Sequence, residues 1–205
     1  IIGATTYNKD NYFNSFLLLE NNTIKFFDKK ILVPFGEFLP FRKYLNFMEA
    51  ISGSMDFTEG QLERLITTNE NYKILPIICY EIIFDKIFKN INLNEVDIII
   101  NITNDSWFGN RVGPYQHFYI ARVKSLIVNK ALLRVSNNGI SAFINNNGKI
   151  IKHSNLNEIE NIKYNLKIKN NMNYKYLHNF FIFYFLIIFY FFGVFFKKKF
   201  NNNEL

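Results

Sequence analysis

Apolar and polar positions divide this chain into a series of short buried runs and one long apolar tail. Asn14 to Leu19 reads as a β-type run, and Leu75 to Cys79 as a second, shorter one. Val96 to Ile102 (VDIIINI) places β-branched residues side by side without alternation, the pattern of a strand covered on both faces. Gln116 to Lys130 carries apolar residues at helical spacing and ends near basic ones, as a helix C-terminus favours. Leu132 to Val135 and Ser141 to Ile144 are two further strands, with a hairpin-like turn at Asn146-Asn147-Gly148. Buried strands separated by helices predict an α/β layered domain over residues 1 to about 165. Between Phe41 and Asn71 periodicity is weak and polar punctuation frequent, so a surface excursion or lid is expected there.

The tail has a different character. Residues 180–196 (FFIFYFLIIFYFFGVFF) hold no charge and no polar face. Extended back to Tyr176, this stretch approaches the roughly 20 residues that cross a hydrocarbon core of about 30 Å. A membrane-spanning helix over 176–196 is therefore expected, after a juxtamembrane linker at 166–175. The Lys197-Lys198-Lys199 cluster follows at once, and the basic tail 197–205 is expected to face the cytoplasm, with the globular part on the other side. Asn201 to Leu205 is expected to be disordered. The chain begins Ile-Ile-Gly without an initiator Met, and this start reads as a strand and turn already inside a fold, so a fragment or truncated product is expected.

Composition narrows the partners. Net charge is +7 and the pI about 9.3. The lysines are scattered among Asn, Ile and Phe rather than gathered in a basic stripe, which argues against nucleic acid. A single cysteine excludes an internal disulfide framework.

That cysteine, Cys79, ends an apolar run where a strand gives way to a turn. A thiol there can be exposed at a sheet edge, with the backbone N–H groups of Tyr80 and Glu81 free to bind an oxyanion. A small buried core residue fits the position equally well. In DKKILVPFGEFLP (28–40) a charged pair precedes a short strand and a Pro-Phe-Gly turn. Lys29 could enter a site from a strand and stabilise developing negative charge, or stand solvated at the surface. Glu37 follows a Gly that permits a tight turn, facing either inward or into water. In NITNDSWFG (101–109) a loop follows a buried strand, where α/β sites are commonly built. Trp107 and Phe108 could wall an apolar pocket there. His117 falls inside the helix pattern, which argues against a Cys-His pair.

Five ordered blocks, ILVPFGEFLP, ICYEI, NITNDSWFG, GPYQH and LLRVSNNGISAFINNNGKI, together resemble the second half of the nitrilase-like (carbon-nitrogen hydrolase) domain of bacterial apolipoprotein N-acyltransferases. The apolar tail strengthens the likeness, because soluble nitrilases lack it. The resemblance implies a nitrilase-like α-β-β-α sandwich, incomplete at the N-terminus and followed by one transmembrane helix. It implies a Glu-Lys-Cys triad with Cys79 as nucleophile and Lys29 as the catalytic lysine, eight residues before the Glu of the VPFGE block. Glu37, Glu81 and Tyr80 are supporting residues on the same ground. Where the family often has His two residues after the lysine, this chain has Ile31. The family's general-base Glu lies upstream of residue 1, and Glu20, in LLLENNT, does not match its motif.

The implied reaction moves an acyl chain from a phospholipid to Cys79 as a thioester. From there it passes to the N-terminal S-diacylglyceryl cysteine of an apolipoprotein, with neither metal nor cofactor. The implied setting is the bacterial inner membrane, the globular part periplasmic. Two other readings stay open from the residues: a truncated, non-catalytic remnant, and a nitrilase-type amidase.

Overall fold

The computed structural model describes residues 1–45, 47, 55–61, 63–165 and 184–192. Contacts divide the chain into two units, Ile1–Tyr174 and Lys175–Leu205. In the first, β1 (Ile2–Asn8), β2 (Asn11–Glu20) and β3 (Thr23–Asp28) form an antiparallel three-stranded sheet in that order. A second sheet of six strands runs β4 (Ile66–Thr67), β5 (Lys73–Ile78), β6 (Ile98–Thr103), β7 (Leu132–Ser136), β8 (Ala142–Ile144) and β9 (Ile150–His153). Its centre, β5-β6-β7, is parallel and its flanks are antiparallel. The helices are α1 (Arg42–Leu45), α2 (Asp85–Lys89) and α3 (Val112–Val128).

Strand period sorts the apolar residues onto two faces. Leu75 and Ile77 of β5, Ile99 of β6 and Leu132 of β7 join Ile87 and Phe88 of α2 and Ala121 and Val128 of α3 in one buried cluster. The intervening residues Ile74, Ile78, Ile98 and Ile100 meet Phe16, Leu18 and Phe27 of the three-stranded sheet in the other. Covering on both faces is what lets β5 and β6 dispense with polar alternation. The layers are thus helix, six-stranded sheet, three-stranded sheet. Leu19, Ile24 and Phe26, on the outer face of the three-stranded sheet, are exposed. Among the described residues the fourth layer of the expected sandwich is therefore not present.

Most expected elements recur with shifted ends. The run at Asn14–Leu19 lies within the longer β2, and the helix expected from Gln116 begins at Val112. Asn129 ends that helix in the left-handed conformation (φ 52°). The turn at 146–148 joins β8 to β9, with Gly148 at φ 71°. Two expectations are corrected. Residues 31–33 are not a strand; a single bridge between Pro34 and Phe38 closes that loop instead. Nor is 41–71 merely a surface excursion, because Arg64 and Ile66 are buried and the Gly60 N–H donates to the Lys29 carbonyl at 2.9 Å. Residues 57–60 are tied down by single backbone hydrogen bonds to Glu37, Tyr12 and Lys29, and such contacts leave no periodic pattern.

Residues 184–192 are helical with exposed side chains. Among the described residues no helix is long and apolar enough to cross a membrane. The remainder of the span expected over 176–196, the whole of the linker expected at 166–175 and the basic tail lie outside the described residues.

Candidate active site

Cys79 is the first residue after β5 and opens a 3-10 turn over Cys79–Ile83. Ile78 before it is buried in the inter-sheet core, whereas Cys79 itself is only half-buried. Its φ of 52° is left-handed, an uncommon conformation for a residue carrying a Cβ. The reversal takes the chain out of the sheet in one step and leaves Sγ at the strand end, 3.9 Å from the Asn104 carbonyl. The placement at a strand end is the one expected from the sequence, and it is not that of an inert core residue.

Lys29 stands just past the end of β3 rather than on a strand, with its side chain 1 % exposed. Its backbone N–H donates to Asn14 O at 2.8 Å. Nζ donates to both carboxylate oxygens of Glu37, at 2.7 and 2.6 Å. Glu37 accepts in addition from Asn14 Nδ2 (2.9 Å) and the Val33 N–H (2.8 Å). The Glu37 and Gly36 N–H groups both donate to Val33 O, closing the tight turn that points the carboxylate inward. The residue with positive φ in that turn is Phe35 (63°), not Gly36. With four donors on its two oxygens, Glu37 orients the ammonium; it is poorly placed to serve as a free base.

Glu81 joins the two halves of the site. Fully buried, it pairs with Arg64 through Nη1 (2.9 Å) and Nη2 (2.8 Å). Its Oε1 also accepts from the backbone N–H groups of Lys30 and Ile31, each at 3.1 Å, and Oε2 from that of Ile78 at 3.0 Å. One carboxylate thus fastens the loop after Lys29 to the strand end before Cys79. Arg64 was not indicated by the sequence, since it lies in the segment without periodicity. Tyr80 turns its ring toward Phe84, Phe108 and His117, with centroids 6.3, 5.9 and 5.6 Å away. Phe108 packs its ring on Tyr80 and His117, whereas Trp107 is exposed and its ring lies against Gly36.

On the helix side of the six-stranded sheet lies a second charged cluster that sequence reasoning missed. Register sets Ile77, Asn101 and Arg134 side by side on β5, β6 and β7. Arg134 Nη1 donates to Asn101 Oδ1 (2.5 Å) and Nη2 to Asp105 Oδ2 (2.7 Å). Asp105, just beyond β6, also faces His117 Nδ1 at 2.8 Å and accepts from Ser136 Oγ at 3.0 Å. Asp105 and Arg134 are 0 % exposed and His117 2 %. Burial pushes the Asp105 carboxyl up, but the His117 hydrogen bond and the Arg134 charge outweigh it and hold the group at about 2. His117 is pulled below its ordinary value, chiefly by burial. Gly139 of the SNNG block packs onto this carboxylate so closely that a Cβ there would stand 1.9 Å from Asp105 Oδ2.

The fold is thus an α/β sandwich with a half-exposed cysteine in a left-handed turn after a parallel strand, and a buried lysine-glutamate pair on a loop that Glu81 ties to the end of that strand. Residues 1–170 match the Carbon-nitrogen hydrolase family, and the chain belongs to it. Among curated relatives it is 43 % identical over 153 residues to the apolipoprotein N-acyltransferase of Rickettsia typhi, which covers 74 % of this chain and 31 % of that protein. The apolipoprotein N-acyltransferase of Wigglesworthia glossinidia brevipalpis is 42 % identical over 160 residues, 73 % of this chain and 32 % of that one. The chain thus spans about a third of the length of these relatives. Among solved structures, Saccharomyces cerevisiae Nit3, a member of branch 10 of the nitrilase superfamily, aligns with a TM-score of 0.54 at 17 % identity, over 74 % of this chain and 52 % of that one. The glutamine-dependent NAD+ synthetase of Acinetobacter baumannii aligns at 0.59 and 17 %, over 77 % and 29 %. At such identities these two support the nitrilase-like fold alone.

Proposed function

We propose that the chain carries the acyl-transfer site of an apolipoprotein N-acyltransferase, with Cys79 as the nucleophile and Lys29 as the oxyanion donor. The observation that supports the reading is that Glu81 fastens the loop after Lys29 to the strand end before Cys79, in a chain similar to apolipoprotein N-acyltransferases. The Cys79 thiolate attacks the ester carbonyl of a phospholipid acyl chain. Lys29 Nζ and the backbone N–H groups at the start of the 3-10 turn stabilise the tetrahedral oxyanion, each donor contributing on the order of 3 kcal/mol. The C–O bond breaks, the lysophospholipid leaves with a proton, and a thioester remains on Cys79. The α-amino group of an S-diacylglyceryl cysteine then attacks that thioester, forms the amide and returns the thiol.

Glu37 is committed to Lys29, Asn14 and Val33, and Glu81 to Arg64 and three backbone N–H groups. Neither is the general base; the resemblance assigns that role to a Glu upstream of residue 1. Exposed Phe35, Phe41 and Trp107 give the surroundings the apolar character that acyl chains require. The setting that follows is the bacterial inner membrane, with the site on the periplasmic side and the apolar segment around 176–196 as an anchor.

The test is transfer of a labelled acyl chain from phospholipid in detergent micelles to a diacylglyceryl peptide. A hydroxylamine-labile label on the protein, lost in Cys79→Ala together with transfer, is the expected result. Transfer that survives Cys79→Ala defeats the reading.

A further inference from the structure

The left-handed φ of Cys79 persists only where its surroundings over-determine it, and those surroundings lie on the helix side of the sheet. Asn101 Nδ2 donates to the carbonyls of Ile77 (3.2 Å) and Cys79 (3.4 Å). Its Oδ1 accepts from Arg134, which Asp105 holds in turn. This fixes the amide one way round. Turned over, it would set an oxygen against two carbonyls and an NH₂ against a guanidinium. His117 gives Nδ1 to Asp105, and its Nε2 closes no hydrogen bond among the described residues.

A trans peptide sets its C=O and N–H on opposite sides. A Cys79 carbonyl turned inward to Asn101 therefore turns the Tyr80 N–H away from the cluster, toward the open side of the turn. We infer that Asn101, held by Arg134 and through it by Asp105, is a positioning residue that locks the Cys79–Tyr80 peptide so that the Tyr80 N–H meets the oxyanion formed at Cys79. The inference rests on Cys79 being the nucleophile of the proposed function. It adds to that reading a device, built from three strands, that neither touches substrate nor exchanges a proton with it.

The test separates two reactions of the same sulfur. Alkylation by iodoacetamide forms no oxyanion, whereas acylation by a p-nitrophenyl ester does. Both are followed on the full chain in detergent by intact mass, in the native protein and in Asn101→Asp and Asn101→Ala. Asn101→Asp replaces the two donated hydrogen bonds by repulsion, and Asn101→Ala removes them. Each is expected to slow ester acylation about tenfold or more, with alkylation within about threefold of the native rate. Equal slowing of both reactions, or of neither, in a folded variant overturns the inference. If Asn101→Asp fails to fold, Asn101→Ala decides by the same comparison. Absence of any ester adduct on native Cys79 would instead defeat the proposed function itself.

Discussion

Lys29 with Glu37 on the three-stranded side of Cys79, and Arg134 with Asp105 and His117 on the helix side, are both buried ionic clusters, yet they are built differently. Lys29 and Glu37 are eight residues apart and belong to one loop. Glu37 retains 11 % exposure, so solvent and substrate can reach the edge of the pair. Arg134 is 29 residues from Asp105 and 17 from His117, and all three are sealed. A charge that reaches the open side of the fold can meet a developing oxyanion. A sealed one can act only through the backbone it holds. The helix-side cluster reaches the turn at Cys79 through Asn101, and the loop that carries Lys29 is tied by Glu81 to the strand end before that turn.

Breaking each cluster in turn sharpens that contrast. The largest effect is expected from Arg134→Met, which leaves Asp105 buried without its main counter-charge and should remove about 3–5 kcal/mol of stability, read from denaturant unfolding. Lys29→Met should act the other way round. Its unfolding midpoint falls less than that of Arg134→Met, because Glu37 keeps partial exposure along with Asn14 and Val33, while acyl transfer falls about 10²–10³-fold.

Acid should expose the helix-side cluster in two stages. The fold keeps His117 below its ordinary value, so the unfolded chain binds the proton more readily and stability declines as pH drops below about 6.5. Asp105, held at about 2, contributes fully above roughly pH 4, and that contribution disappears as pH falls through 2. Denaturant midpoints at neutral, mildly acid and strongly acid pH measure both stages, and His117→Gln should remove the first. The smallest effect is expected from Gly139→Ala, where the new methyl must push back the Asp105 carboxylate at a cost of about 1–3 kcal/mol. A Gly139→Ala protein as stable as the native one would show that the helix-side cluster yields easily.

The difference in construction also explains what the chain reveals before it is folded. Lys29 and Glu37 lie close enough in the chain for one loop to bring them together, but their part in a site is legible only through the resemblance carried by the VPFGE block. Cys79 is legible because it ends an apolar run. The helix-side cluster is not, since its members meet only through the register of β5, β6 and β7 and the seating of α3. Two signs were present in the pattern. Asn101 shares a strand face with Ile99, and Arg134 shares one with Leu132, so each sets a polar group where an apolar one belongs. His117, set aside as a catalytic base because it lies within a helix, does sit in that helix and turns out to be buried against Asp105. Arg64 gave no sign at all, because it is a lone buried charge in a stretch without a repeating pattern.

Intact-mass spectrometry of the protein taken from its native membranes, before and after hydroxylamine, addresses Cys79 as the acyl carrier most directly. A long-chain acyl adduct that hydroxylamine removes, and that a Cys79→Ala protein never acquires, is the predicted result. An unmodified mass in the native protein, or an adduct that persists in Cys79→Ala, would contradict it.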